Sequence, residues 1–213
     1  MIELNKRPSP AYPALKSRLD ACLALLALAL LSPILAGIAF GIRCTSPGPI
    51  LFRQVRLGQG MEPFLLSTFR TMVCSAPRET ASADLPCRAR YVTRFGAFLR
   101  KTSLDELPQL FNVLRGEMAL LGPRPVIPGE GELVARRACT GAYRVKPGLS
   151  GLAQVRGRDL LSDEEKADLD GAYAAHLSPG RDACLLFATV FAVLARRGLR
   201  EEGSTDKGGK TIV

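Results

Sequence analysis

The sequence predicts an α+β fold that is mostly helical, in which a broken re-entrant membrane helix, a small β-hairpin and interfacial helices surround a cytoplasmic core. Three observations support this prediction. An uncharged apolar segment from Ala21 to Ile42 is interrupted by a Ser-Pro pair, two short apolar runs flank a Gly-containing turn, and helical patterns fill most of the remaining chain. With 213 residues, the chain is long enough for one domain with its own hydrophobic core.

The uncharged segment is long enough to reach across a bilayer, because a straight helix over it would measure about 33 Å. Ser32 and Pro33 stand at its centre. Pro33 has no N–H and crowds the carbonyl of Ala29, so we expect a kink or a break there. Basic residues flank both ends, namely Lys6, Arg7, Lys16 and Arg18 before the segment and Arg43, Arg53 and Arg56 after it.

The positive-inside rule then favours the cytoplasm for both ends of the segment. A re-entrant hairpin satisfies both the central proline and the two basic flanks. Its freed backbone groups would need partners, and Ser32 is suited to supply one. A single spanning helix and a cleaved signal peptide are the two alternatives.

Four elements are predicted for the first half of the remaining chain. Residues 46–72 contain two apolar runs around a Gly-containing turn, which is typical of a β-hairpin. Residues 73–90 are small and polar, and predict a surface loop. Helices are predicted for residues 91–102, from the spacing of their apolar positions, and for residues 108–118, which have Pro near the start and Gly near the end.

The second half begins with residues 122–132, whose Pro and Gly content excludes regular structure. Residues 146–159 are Gly-rich and basic, and predict a loop near a site. Residues 163–175 predict an acidic helix. The apolar segment 182–197 is too short to span a membrane comfortably, and would lie on the membrane or pack on the core. We therefore divide the chain into an N-terminal membrane-associated part (1–43), a cytoplasmic domain (44–200) and a polar tail (201–213) that is expected to be disordered.

The composition limits the chemistry of this chain. The formal net charge of +9 and the pI of about 9.6 favour anionic partners. Aromatic residues make up only 6% of the chain and are scarce near the arginine clusters, so we expect no nucleic-acid partner. One histidine, His176, argues against a Ser-His-Asp triad and a His-rich metal site. The six cysteines lack C-x-x-C spacing, which is typical of free thiols in a reducing compartment.

Two adjacent carboxylates, Asp105 and Glu106, are the strongest candidates for chemistry. Ser103 and Glu106 fit a capping box, so a purely structural role is the ordinary interpretation. Pro108 would remove a hydrogen bond from such a helix, which could instead begin at Pro108. In either case an ionised Asp105 could act as a nucleophile, or the pair could hold Mg²⁺, a hard cation that prefers oxygen ligands.

Three arginines accompany this pair in the sequence. Arg124 stands between Pro123 and Pro125, and this stiff backbone suits a bidentate grip on phosphate, although a surface turn would have the same residues. Arg100 precedes the carboxylates by one and a half helical turns, and Arg158 closes the Gly-rich loop. Each alone is typical of a solvated charge, but together they predict a site for a phosphorylated ligand.

The sequence resembles the bacterial sugar transferases, the small monotopic phosphoglycosyl transferases. The resemblance covers nearly the whole chain and rests on the Ser-Pro pair and on the stretches PGPILFRQVRLG, FRTM, GAFLRKTSLDELPQLFNVLRGEMALLGPRP, KPGLSGLAQVRGR and LDGAYAAHLS. It implies transfer of a sugar 1-phosphate from a UDP-sugar to a polyprenyl phosphate, such as undecaprenyl phosphate, with release of UMP. It also implies a re-entrant helix at the cytoplasmic face of the bacterial inner membrane.

The resemblance assigns roles to individual residues. Asp105 would attack the β-phosphorus and carry a covalent phospho-sugar, and Glu106 would help hold Mg²⁺ or assist the acceptor. Arg124 would bind phosphate, and Arg100, Arg158 and Asp170 match further positions of the family's site. Thr68 replaces a usual basic residue, and Arg70 would take over its charge. The expected partners are a UDP-sugar, polyprenyl phosphate and membrane lipid, with a homodimer left open.

A non-enzymatic basic protein of the membrane surface is the rival interpretation. Such a scaffold would tolerate Asp105→Asn, because the cap would survive, whereas an enzyme with an Asp nucleophile would not. Sugar selectivity depends on the shape of a pocket, so the sequence names neither the sugar nor the glycan pathway that the product would enter.

Overall fold

The computed structural model describes residues 12–76, 91–157 and 160–194. Within these residues the fold is mostly helical, as predicted, and has four short strands, of which the sequence predicted the two of the hairpin. The helices are α1 (Tyr12–Thr45), α2 (Arg94–Thr102), α3 (Gln109–Leu114), α4 (Gly131–Thr140), α5 (Leu152–Arg156), α6 (Asp163–Ala175) and α7 (Pro179–Leu194). The strands are β1 (Leu51–Leu57), β2 (Pro63–Phe69), β3 (Ala119–Leu121) and β4 (Gly148–Ser150). Short 3₁₀ turns cover Gln59–Met61, Leu104–Glu106 and Ala142–Arg144.

The predicted β-hairpin is confirmed. Strands β1 and β2 pair antiparallel with Val55 opposite Leu65, and a 3₁₀ turn joins them. Gly60 in this turn has a φ of 67°, a backbone conformation that glycine adopts at little cost. The hairpin carries Arg56 towards the centre of the molecule, where its guanidinium binds the carbonyl of Pro125.

The described part of the segment 146–159, residues 146–157, is not the simple loop that its glycines suggested. It contains β4, which pairs in parallel with β3, and the short helix α5. A β-carbon on Gly148 would lie within 2.1 Å of the backbone of Gly122, and one on Gly151 would meet the same residue. The glycines therefore permit two backbones to approach closely, which composition alone does not distinguish from loop flexibility.

We expected a kink or a break at Ser32 and Pro33, and the break is not present, because α1 is one helix of 34 residues that includes Pro33. The proline leaves the carbonyl of Ala29 without its usual N–H donor. The hydroxyl of Ser32 donates to this carbonyl at 2.8 Å. Ser32 thus supplies the missing hydrogen bond, as its position suggested, and the helix continues through the proline.

One face of α1 is buried along nearly its whole length. The buried positions follow helical spacing and are Tyr12, Lys16, Asp20, Ala24, Leu28, Ile38 and Ile42. Leu28 packs with Leu66 of β2 and Leu110 of α3, while Ile42 packs in the cluster that contains Phe69 and Leu99. The opposite face exposes large apolar side chains, namely Leu15, Leu19, Leu23, Leu26, Leu30 and Ile34. Within the described residues, α1 alone is long and apolar enough to cross a membrane.

A buried polar cluster fastens the start of α1 to α6 and α7. The ammonium of Lys16 lies 2.9 Å from the carboxylate of Asp182 and 3.2 Å from that of Asp20. The hydroxyls of Tyr12 and Tyr173 each donate to Asp182, at 2.7 and 2.8 Å. Every member has a charged or hydrogen-bonding partner, which buried polar groups require.

The short helix α3 is tied to the β-hairpin by one fully buried side chain. The amide of Asn112 accepts from the N–H of Ser67 and donates to the carbonyl of Leu65, as a neighbouring strand would. It also donates to Glu117 at 2.7 Å. This side chain satisfies the outer edge of β2 and fixes the chain that follows the two adjacent carboxylates.

The exposed faces of α2, α3 and α7 carry apolar side chains, namely Phe98, Phe111, Leu114, Leu186, Phe187 and Val190. Helices of this kind are typical of a membrane interface, and their interfacial location stays a prediction. The described residues reach only the first positions of the predicted loop 73–90, and the tail 201–213 lies outside them. The three-part division of the chain also stays a prediction.

We expect Gly96→Ala to destabilise the protein, because its β-carbon would lie 2.0 Å from the carbonyl oxygen of Thr71. Overpacking of this kind costs roughly 1–3 kcal/mol or more. Thermal unfolding in detergent would measure the loss. Gly37→Ala is the matched control, since nothing lies within 4 Å of its added methyl group. Equal unfolding temperatures for the two variants would contradict this packing.

Candidate active site

Asp105 and Glu106 lie in the 3₁₀ turn Leu104–Glu106, between α2 and α3. The predicted capping box is wrong. Ser103 adopts a left-handed conformation at the end of α2, and its side chain makes no capping hydrogen bond. The alternative start at Pro108 is confirmed, because Pro108 is the N-cap of α3. A proline cannot donate to the preceding turn, so the two carboxylates stand in a connection between helices.

The electrostatic setting of Asp105 suits a reactive carboxylate. Burial first, and the charge of Glu106 second, raise the pKa of Asp105 from its ordinary 3.8 to about 6, while Arg100 and Arg124 oppose this rise. The carboxylate is therefore mostly ionised at neutral pH, but less well solvated than a surface aspartate. Glu106 is itself engaged, because Nη2 of Arg124 lies 2.8 Å from its Oε1.

Arg100 and Arg124 come from different elements to the vicinity of the adjacent carboxylates Asp105 and Glu106, which we call the dyad. Arg100 belongs to the last turn of α2, and its Nε donates to the hydroxyl of Thr71 at 2.8 Å. Arg124 comes from the irregular segment after β3, as the prolines suggested. Arg124 remains 43% exposed while its partner Glu106 is 16% exposed, so the arginine can accept a further anionic ligand from solvent.

The segment that carries Arg124 is held through four successive carbonyls. The acceptors are Pro123, Arg124, Pro125 and Val126, and their donors are Gly148 N–H, Arg137 Nη1, Arg56 Nη1 and Leu57 N–H, respectively. Two of the donors are backbone amides and two are guanidinium groups. Tertiary hydrogen bonds therefore restrain this segment in addition to the restraint that we expected from its prolines.

Arg56 was not singled out from the sequence as a site residue. Burial first, and then the nearby positive charge of Arg124, lower the pKa of Arg56 to about 10, while Glu130 and Glu106 oppose the change. Arg56 thus stays protonated and adds positive charge near the dyad. Strand alternation could have indicated its inward direction, because Arg56 shares a face of β1 with Gln54.

The structure does not bring Arg70 to the dyad. Its guanidinium binds the carbonyls of Ser46 and Pro47 and the thiol of Cys74, and the side chain is buried. Arg70 therefore fastens the turn after α1, and its position does not support the substrate contact that we expected. Arg158 lies outside the described residues.

Asp170 is fully buried beneath the site, away from any ligand in solvent. Its Oδ2 lies 2.5 Å from Nη2 of Arg137. Burial raises the pKa of Asp170 to about 6, although Arg137 opposes this rise. Its place is behind the loop that carries Arg124, so direct contact with a substrate is not supported.

The two carboxylates of the dyad could supply some, but not all, of the ligands of a hard divalent cation. Among the described residues, no group of three or more His, Cys, Asp or Glu side chains could share a metal ion. Mg²⁺ is commonly held by one or two carboxylates together with substrate phosphates. The mutual repulsion that helps raise the pKa of Asp105 is relieved by a cation, so Asp105 and Glu106 fit such a site.

Comparison with known proteins places the chain in a family. The family described as bacterial sugar transferase matches residues 11–196. A UDP-glucose:undecaprenyl-phosphate glucose-1-phosphate transferase of Caulobacter vibrioides is 40% identical over 196 residues, which cover 88% of this chain and 72% of that protein. The chain therefore belongs to the bacterial sugar transferase family, and the expectation of a transferase enzyme is confirmed.

Two further relatives are longer proteins. A UDP-N-acetylgalactosamine-undecaprenyl-phosphate N-acetylgalactosaminephosphotransferase of Aeromonas hydrophila is 37% identical over 91% of this chain and 47% of its own length. A UDP-glucose:undecaprenyl-phosphate glucose-1-phosphate transferase of Escherichia coli is 40% identical over 83% of this chain and 39% of its own length. The chain thus spans less than half of these two relatives. Family membership decides against the non-enzymatic membrane scaffold.

Proposed function

We propose that this protein transfers a sugar 1-phosphate from a UDP-sugar to a polyprenyl phosphate, with release of UMP, through a covalent intermediate on Asp105. The observation that carries the proposal is the dyad itself. A partly buried, ionised Asp105 stands beside Glu106 and within the field of Arg100 and Arg124. The names of the relatives supply the substrate class, since each of those described above acts on a UDP-sugar and undecaprenyl phosphate.

The first step forms one bond and breaks another at the same phosphorus atom. A carboxylate oxygen of Asp105 attacks the β-phosphorus of the UDP-sugar. The bond from that phosphorus to the bridging oxygen breaks, and the electron pair leaves with UMP. Partial burial favours the attack, because fewer water molecules must be removed from the carboxylate. Arg124 binds a phosphate oxygen and stabilises the charge that spreads over the transferring group.

The second step releases the enzyme. A phosphate oxygen of the polyprenyl acceptor attacks the phosphorus carried by Asp105, and the bond between that phosphorus and the carboxylate oxygen breaks. The products are a polyprenyl diphosphate sugar and an ionised Asp105. Glu106 would assist the acceptor or help hold a metal ion. A bound Mg²⁺ would neutralise charge on the diphosphate, with Glu106 as its expected protein ligand.

The proposed membrane arrangement follows from how α1 is held. Tyr12 near its start is bonded to Asp182, and Ile42 near its end packs with Phe69, so both ends are attached to the same globular unit. The ends of a helix that crossed the bilayer would lie on opposite sides of a hydrocarbon core about 30 Å thick. We therefore propose that α1 enters the inner membrane from the cytoplasmic face and does not cross it.

We expect the purified protein to release UMP from a UDP-sugar in detergent with undecaprenyl phosphate and Mg²⁺, and Asp105→Asn to lose at least about a thousandfold of this activity, because a neutral amide is not a nucleophile. UDP-glucose, UDP-galactose and UDP-N-acetylgalactosamine form the test panel. Intact-protein mass spectrometry without acceptor should show one added sugar phosphate on the parent. Wild-type rates in Asp105→Asn would contradict the mechanism.

Removal of divalent cations with EDTA should abolish UMP release, and added Mg²⁺ should restore it, because the diphosphate charge is then neutralised again. Glu106→Gln should raise the Mg²⁺ concentration needed for half-maximal activity roughly tenfold, since it removes one charged ligand. A Mg²⁺ titration of both proteins measures the shift. Full activity in EDTA would exclude the metal.

The position of α1 can be tested with single-cysteine variants that retain Cys44 or carry Ser9→Cys. Both positions should react with a membrane-impermeant maleimide in inverted inner-membrane vesicles, and neither in intact spheroplasts, because both ends are cytoplasmic. Labelling is read as a mass shift on a gel. Opposite responses of the two positions would show that α1 spans the membrane.

A further inference from the structure

Helix α4 buries one arginine of an adjacent pair and leaves the other at the surface. Arg136 forms ion pairs with Glu132 and Glu164, whose side chains are largely exposed. Arg137 is only 3% exposed, and its buried counterion is Asp170 of α6. Burial of an ion pair costs desolvation energy that the attraction often fails to offset. Arg137 therefore calls for an explanation other than stability.

The second contact of Arg137 supplies this explanation. Its Nη2 binds Asp170 at 2.5 Å, while its Nη1 donates to the backbone carbonyl of Arg124, also at 2.5 Å. The side chain of Arg124 in turn meets Glu106 at 2.8 Å. Asp170 of α6 and Arg137 of α4 are thus connected to the backbone of Arg124, whose side chain meets the dyad.

We propose that Arg137, held by Asp170, is a positioning residue that fixes Arg124 for phosphate binding. The inference rests on the proposed function, because it assigns a task to the same site. Arg124 belongs to a segment outside the helices and strands. Backbone amides of β1 and β4 hold the carbonyls of Val126 and Pro123 in this segment, while Arg137 holds the carbonyl of Arg124 itself. Misplacement of a binding group by about 1 Å can cost a hundredfold in rate.

An arginine suits this task better than a lysine. The rigid fork of the guanidinium serves a carboxylate and a carbonyl at the same time, whereas an ammonium on a flexible stem has no fixed spacing. The buried carboxylate of Asp170 keeps the fork in one orientation. Arg56 acts similarly on the neighbouring carbonyl of Pro125, but its guanidinium is shared with Gln54. The backbone on which Arg124 is mounted is therefore held by charge-assisted hydrogen bonds.

The test measures kcat and KM of UMP release for Arg137→Gln and Arg137→Lys, with the panel UDP-sugar that the parent turns over fastest. Arg136→Gln is the matched control, since it changes the adjacent surface arginine. We expect Arg137→Gln to raise KM for the UDP-sugar roughly tenfold or more, Arg137→Lys to be intermediate, and Arg136→Gln to stay within about twofold of the parent. A variant that is merely less folded would lower the apparent kcat and leave KM unchanged.

A double-mutant cycle with Arg124→Lys identifies the route of the effect. If Arg137 acts through Arg124, the effect of Arg137→Gln on KM should shrink severalfold in the Arg124→Lys background. An undiminished effect, or equal KM values for Arg137→Gln and Arg136→Gln, would overturn the inference while the parent's activity upholds the proposed function. A parent that releases no UMP from any panel sugar would overturn both. If Arg137→Gln does not fold, Asp170→Asn, which keeps the shape of the pair, enters the same cycle.

Discussion

The placement of a charged Asp105 in a partly buried turn, directly beside Glu106, is the constraint around which the site is built. Burial first, and the charge of Glu106 second, disfavour the ionised form of Asp105, so positive charge nearby is needed to offset them. Arg124 meets Glu106 directly, and Arg100 lowers the energy of an ionised Asp105 from the end of α2. The arginines thus help to keep Asp105 ionised. Further positive charge beside the turn, from a metal ion or an arginine, is also favourable.

The need for positive charge beside the two carboxylates also constrains the backbone that carries Arg124. A guanidinium binds a ligand well only if its own backbone is placed accurately, and the segment after β3 is placed by hydrogen bonds from distant parts of the chain. Four carbonyls from Pro123 to Val126 are each hydrogen-bonded, two of them to the half-buried Arg56 and the buried Arg137. The charge of Arg137 then requires Asp170. Under the proposed positioning role, this buried ion pair serves the placement of Arg124.

Helix α1 has two apolar faces, one buried in the protein core and one exposed at its surface. Its buried stripe packs against β2 and α3 on one side, and its leucines face outward on the other. Lys16 and Asp20 interrupt the apolar pattern near the start of the helix, where they join Tyr12 and Asp182 in the polar cluster with α7. The same elements that would face lipid therefore also hold the strand β3, which leads directly to Arg124.

Much of the organisation could be predicted because it depends on local chemistry. The hairpin around a Gly turn, the helix at 163–175, the start of a helix after Pro108 and the reach of Ser32 towards Ala29 all follow from spacing and from the properties of proline, glycine and serine. Predictions from local sequence patterns were wrong at two places where the fold adopts a different local structure. Ser103 fits a capping box, yet in the fold it ends α2. Pro33 suggested a kink or a break, yet α1 is continuous through it.

The sequence by itself determined that Asp105 and Glu106 are adjacent, that prolines flank Arg124 and where the amphipathic and apolar segments lie, because each of these features involves only neighbouring residues. Only the tertiary structure decided that Arg70 fastens a turn, that Asp170 lies behind the site and that Arg56 and Arg137 grip its backbone. An arginine looks alike in sequence whether it meets solvent, a phosphate or a carbonyl. Its partner is chosen by contacts between residues distant in the chain, which spacing does not encode.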